Sequence, residues 1–114
     1  ITGRQSKLVA DRAATLGIEH LYQGQSDKLI AFEKILSDLN LQPNQVAYIG
    51  DDLIDWPVMA KVGLSVAVAD AHPILLQRAQ YVTRIVGGRG AVRELCDLIL
   101  QSQGKLDEAK GLSI

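Results

Sequence analysis

A chain of 114 residues, 47% hydrophobic and 22% charged, with a formal net charge of -1, holds one domain with an ordinary core. The near-neutral balance excludes the broad basic surface of a nucleic-acid binder, and no apolar run approaches the roughly 20 residues of a membrane-spanning helix. The single cysteine, Cys96, excludes an internal disulfide and fits a reducing cytoplasm; it lies among apolar helix positions and is expected to pack in the core.

Ile1-Thr-Gly-Arg4 has no initiator Met and reads as a strand end running into a loop, so the chain is expected to be the C-terminal portion of a longer protein, with one or more N-terminal strands absent. A helix is predicted over residues 5–16, stopped by Gly17 in a left-handed cap. Residues 20–22 read as a short strand, followed by the polar loop Gln23-Gly-Gln-Ser26. Ser26 is placed to cap a helix over residues 27–39, where Leu29, Ile30, Phe32, Ile35, Leu36 and Leu39 recur at helical spacing. Pro43-Asn44 turns into a buried strand at 46–49, and a short helix ends near Gly63. Further strands are predicted at 64–68 and 81–83, with Pro73 at the first position of a helical turn between them. His72 is read as a turn residue there, and Trp56 and Met59 as packing residues. The Gly-rich Gly87-Gly-Arg-Gly90 leads into a last helix over residues 91–103. The polar tail, 104–114, has no core face and is expected to be a flexible end or an arm docking on another subunit. Strands alternating with helices through short loops predict an α/β fold, a Rossmann-like three-layer sandwich around a mostly parallel sheet.

In such a sheet the strand C-termini share one rim, where ligands bind. The strand at 46–49 runs into Gly50 and then the acids Asp51, Asp52 and Asp55. Three carboxylates this close repel unless a cation neutralises them, which points to a hard, oxygen-preferring ion such as Mg2+. The same rim receives Thr2 and Gly3, read as standing at a helix N-terminus that favours anions, and Lys28, a mobile charge suited to phosphate oxygens. Phosphoryl transfer needs this mixture of positioning and charge neutralisation.

Ile1-Thr-Gly-Arg4, Lys28 and Gly50-Asp-Asp-x-x-Asp55 resemble the second, third and fourth motifs of the haloacid dehalogenase-like phosphatases. Gly24-Gln-Ser-Asp-Lys28, Tyr48-Ile-Gly-Asp-Asp-Leu-Ile-Asp-Trp-Pro57 and Gly87-Gly-Arg-Gly-Ala-Val-Arg-Glu94 extend the resemblance to its capless branch that hydrolyses 3-deoxy-D-manno-octulosonate 8-phosphate. Each motif alone is only moderately specific, but their order and spacing together are strong. The first motif, Asp-x-Asp on the family's first strand, is absent from this sequence, which starts at Ile1. That motif supplies the nucleophilic Asp, which forms an aspartyl-phosphate, and the acid/base Asp. The resemblance therefore implies a Mg2+-dependent phosphatase of lipopolysaccharide synthesis in the parent protein, and no activity in this chain alone.

The resemblance implies that Asp51 coordinates Mg2+ directly, with the other protein ligands in the preceding segment. Asp52 would act through water or by orienting Lys28, and Asp55 would support the network. Thr2, Gly3 and Lys28 would hold the phosphoryl group. Arg4 and Arg12, eight residues apart on a helix and thus within about 80° of each other, would read the acidic sugar. The Gly-rich segment and the tail would reach a neighbouring subunit's site in a cytoplasmic homotetramer, with no nucleic-acid or membrane partner. Competing readings are a related sugar-acid phosphatase, including one fused to a nucleotidyltransferase, a receiver-like binding domain, and a catalytically dead assembly homologue. Receiver order is the reverse, with the acid pair first and the Lys last.

Overall fold

The computed structural model describes residues 1–106. Its first helix, α1 (Lys7–Thr15), starts where the Ser6 hydroxyl accepts the Val9 N–H. It stops where Gly17, at φ +74°, lets Ile18 N–H reach back to the Ala13 carbonyl. Helix α2 (Lys28–Leu39) is capped by Asp27, whose Oδ1 accepts the Leu29 N–H at 3.0 Å, and not by Ser26. The cap sits one residue later than read because Asp27 already has extended backbone and an oxygen in reach.

Three strands follow, β1 (Ala47–Gly50), β2 (Leu64–Ala67) and β3 (Tyr81–Val82), in the order β1-β2-β3 and all parallel. Tyr48 pairs with Ser65, Gly50 with Ala67, and Val66 with Tyr81. Between them run α3 (Trp56–Met59) and α4 (Pro73–Arg78), and α5 (Ala91–Ser102) closes the described chain. Pro73 takes the first turn of α4, and His72 caps it by accepting the Ile74 N–H on Nδ1 at 3.1 Å. Helix α3 packs on β1, β2 and α2. Met59, Ala67, Val68, Leu75 and Ala91 form a buried cluster, with Trp56 packed against it. The arrangement is an α/β fold around a parallel sheet, with no inserted cap domain among the described residues.

Ile1 and residues 20–22 do not form strands, so among the described residues the sheet has three strands rather than the five expected. Thr2 N–H reaches the Tyr22 carbonyl at 2.9 Å, Gln25 N–H returns to Thr2 O at 3.0 Å and Gly24 N–H reaches Arg4 O at 2.9 Å, but Leu21 N–H turns back to Glu19 O, so this pairing is not extended into strands. Cys96 is exposed rather than buried. Helix α5 buries Ala91 and Leu95, four residues apart, and the next position falls about 100° round the axis toward solvent. Gly104, at φ +71°, ends α5 by letting Lys105 N–H bond the Leu100 carbonyl, so the first tail residues belong to the helix cap. The remaining tail, 107–114, lies outside the described residues.

Buried polar groups are paired across the sheet. Ser65 and Gln80 exchange hydrogen bonds, Ser65 N–H to Gln80 Oε1 at 2.8 Å and Gln80 N–H to Ser65 Oγ at 3.1 Å. Thr83 accepts the Ala69 N–H and donates to the Ile85 carbonyl at 2.6 Å. Because all three strands point the same way, the loops after Gly50, Ala67 and Val82 share one rim.

Candidate active site

At the end of β1 the chain bends through a 3-10 turn, Leu53–Asp55, straight into α3. Asp52 opens that turn, its Oδ1 accepting the Leu53 N–H at 2.7 Å. The turn swings Asp55 back beneath the strand tip, where it is only 2% exposed. Its Oδ2 accepts the N–H groups of Asp51 (3.0 Å) and Asp52 (3.2 Å), and its Oδ1 accepts from Lys28 Nζ and Tyr48 Oη, both at 2.8 Å. Both oxygens are thus occupied by donors. Asp55 organises the site by fixing Lys28 and the backbone that carries Asp51.

Gly50 makes that fold-back possible. A Cβ there would lie 2.6 Å from the Asp55 Cβ and 2.8 Å from its Cγ. Gly50→Ala is expected to displace Asp55 and cost about 1–3 kcal/mol of stability, read as a lower urea midpoint. An unchanged midpoint would mean that Asp55 can move aside freely.

The electrostatics separate the acids. Burial alone would raise the Asp55 carboxyl, but the hydrogen bonds from Lys28, Tyr48 and the two amides outweigh it and hold it below the usual carboxylate range. Burial chiefly, and then the neighbouring Asp55 charge, push Asp51 up, with Lys28 opposing. Burial, reinforced by the bond to Asp55, drives the Tyr48 hydroxyl far up, so it stays a proton donor.

Lys28, Tyr48, Asp51 and Asp55 line a cleft of about 290 Å³, closed on other sides by Ile1 and by Gly87 and Gly88. The structure therefore brings Lys28, Asp51 and Asp55 together. Thr2 and Gly3 adjoin the cleft through Ile1 without lining it. They are not at a helix N-terminus, since α1 begins only at Lys7; the Thr2 hydroxyl instead accepts the Arg4 N–H at 3.2 Å in a local turn. Arg4 precedes the helix, so the helical angle relating it to Arg12 does not apply, and both side chains are exposed outside the cleft. Asp52 does not orient Lys28; Asp55 does, because the 3-10 turn points Asp55 inward and leaves Asp52 exposed. The Gly-rich segment, expected at a neighbour's site, lines its own chain's cleft. Tyr48 was missed in the sequence, although a Tyr in an apolar strand signals a hydroxyl that needs a partner.

Among the described residues no group of three or more His, Cys, Asp or Glu side chains is arranged to hold a metal. With Asp55 occupied and Asp52 capping, Asp51 is the carboxylate presented to the cleft. One hard oxygen donor whose charge is opposed by a neighbouring carboxylate fits Mg2+, which keeps several waters and takes only one or two carboxylates from a protein. A wider groove of about 580 Å³ runs along α5 between Tyr81 and Gln101 and contains none of these residues.

Residues 8–95 match the haloacid dehalogenase-like hydrolase family. The chain belongs to that family. It is 75% identical over all 114 residues to the 3-deoxy-D-manno-octulosonate 8-phosphate phosphatase of Escherichia coli strain K12, and spans 61% of that relative's length. The Yersinia pestis 3-deoxy-D-manno-octulosonate 8-phosphate phosphatase superposes with a TM-score of 0.93 at 75% identity, over 94% of this chain and 58% of that one. The Moraxella catarrhalis phosphatase of the same name, solved with magnesium, phosphate and KDO, gives 0.93 at 40% identity, over 97% of this chain and 64% of that one. No helix among the described residues is long and apolar enough to cross a membrane.

Proposed function

We propose that this chain is the C-terminal part of a Mg2+-dependent phosphatase that hydrolyses 3-deoxy-D-manno-octulosonate 8-phosphate to KDO and phosphate. The observation that carries the reading is 75% identity along the whole chain to an enzyme of that name, beside a cleft that gathers Lys28, Asp51 and Asp55. An Asp of the preceding segment attacks phosphorus and expels the sugar hydroxyl, and water then cleaves the aspartyl-phosphate. Bound Mg2+ neutralises phosphoryl oxygen charge. Lys28, held rigid by Asp55, offers its ammonium to the same oxygens and needs no reorganisation to do so. Asp51 takes the metal, Asp52 supports it from the adjacent turn, and Thr2 and Gly3 hold the phosphoryl group from the neighbouring loop. Arg4 and Arg12, both exposed outside the cleft, are assigned by the resemblance to reading the substrate carboxylate. The exposed apolar side chains of α1, Leu8 and Val9 among them, support burial against other copies in a cytoplasmic homotetramer.

The test is phosphate release by the full-length protein. Saturable, Mg2+-dependent release from 3-deoxy-D-manno-octulosonate 8-phosphate is expected, abolished by chelation, with none from residues 1–114 alone. Turnover of other sugar phosphates with this substrate refused would overturn the assignment.

A further inference from the structure

The loop from Arg84 to Gly90 contributes Gly87 and Gly88 to the wall of the cleft, yet little inside it holds its shape. Val86 is exposed, a Cβ built on Gly88 meets nothing within 4 Å, and the internal hydrogen bond is Arg89 N–H to Val86 O at 3.3 Å. Gly88 and Gly90 stand at φ +75° and +114°, so the segment has wide conformational freedom to lose. Besides the Thr83 hydroxyl on the Ile85 carbonyl, two carboxylates on different elements restrain it. Asp70, just beyond β2, accepts the Gly87 N–H on Oδ1 at 2.8 Å. Glu94, in the first turn of α5, accepts the N–H groups of Arg84 (3.0 Å) and Ile85 (3.1 Å) and the Tyr81 hydroxyl at 2.6 Å. Neither carboxylate lines the cleft, whereas Gly87 and Gly88 do.

We infer that Asp70 and Glu94 are positioning residues that clamp the Gly87-Gly88 wall in its substrate-ready shape, and so set how tightly the phosphorylated sugar acid is held. The inference rests on the phosphatase reading above. Because Lys28 and Asp51 are held by other elements, the clamp governs binding and leaves the chemical step alone. A wall that must be ordered on each encounter charges its entropy to ground-state binding, which raises KM with kcat nearly constant.

The experiment compares wild-type full-length protein with Asp70→Ala and Asp70→Asn, measuring kcat and KM for 3-deoxy-D-manno-octulosonate 8-phosphate and amide exchange over residues 84–90. Asp70→Ala is expected to raise KM about tenfold, the loss of one charge-assisted hydrogen bond, with kcat within about twofold and faster exchange at Gly87. Asp70→Asn keeps an oxygen for the Gly87 N–H and should recover most of the loss. Glu94→Gln should accelerate exchange at Arg84 and Ile85. Unchanged KM despite faster exchange, unchanged exchange, a fall in kcat matching the rise in KM, or no recovery in Asp70→Asn would each overturn the inference. A wild-type protein that releases no phosphate overturns the phosphatase reading itself.

Discussion

Asp55→Ala is expected to cost about 3–5 kcal/mol of stability, the usual penalty for removing one partner of a buried ion pair. Its side chain is 3% exposed and that of Lys28 10%, so solvent cannot replace the lost carboxylate. The substitution strands an ammonium, the Tyr48 hydroxyl and two backbone N–H groups in one step. Set against the 5–15 kcal/mol that separates a typical folded domain from its unfolded state, that is a large fraction. Urea denaturation reads it as a fall in midpoint with the slope unchanged; a loss under about 1 kcal/mol would mean the network is not what holds the strand tip. The pH dependence gives an independent handle. Asp55 has a folded pKa below its unfolded one, so its contribution is complete above the ordinary carboxylate range and disappears as pH falls through the folded value. Asp55→Asn should therefore flatten the acid limb of the stability curve as well as lower its plateau.

Much of the architecture was readable from local patterns, and the misreadings share one physical origin. The runs at β1 and β2 are apolar and bounded by turn residues on a parallel sheet, so strand, direction and rim followed together, although only β2 is largely buried and β1, expected to be buried, is half-buried up to Gly50. Residues 20–22 meet Thr2 through a backbone hydrogen bond at Tyr22, but Leu21 N–H turns back on Glu19 O and no strand forms, and pairing is not written in local composition. Cys96 is one helical step from Leu95, and a one-position error in helical phase moves a side chain from core to water. The acidic loop shows the same limit. Spacing alone makes Asp52 and Asp55 equivalent candidates to hold Lys28, and the choice depends on a 3-10 turn tucking Asp55 under a side-chain-free Gly50. The contact of Asp70 with Gly87 joins loops 17 residues apart, and no local signal announces it.

Asp51→Asn is expected to reduce Mg2+-dependent phosphate release by the full-length protein about a thousandfold, the scale of losing one preorganised electrostatic contact with the transferring group. Asparagine keeps the shape and removes the charge, so under the proposed assignment of Asp51 to the metal the anionic donor at the end of β1 is lost. Stability should move the other way from Asp55→Ala. Asp51 has its carboxyl pushed up, by burial first and then by Asp55, so its negative charge is a strain on the metal-free fold, and neutralising it leaves the urea midpoint unchanged or slightly raised. Titration calorimetry with Mg2+ supplies a readout that does not pass through turnover, and the binding heat of the wild-type protein should vanish. Retention of near-normal turnover with normal Mg2+ binding would show that another oxygen carries the metal. The two aspartates, four residues apart and joined through one backbone amide, would then have to exchange roles, which the four donors already converging on Asp55 do not permit.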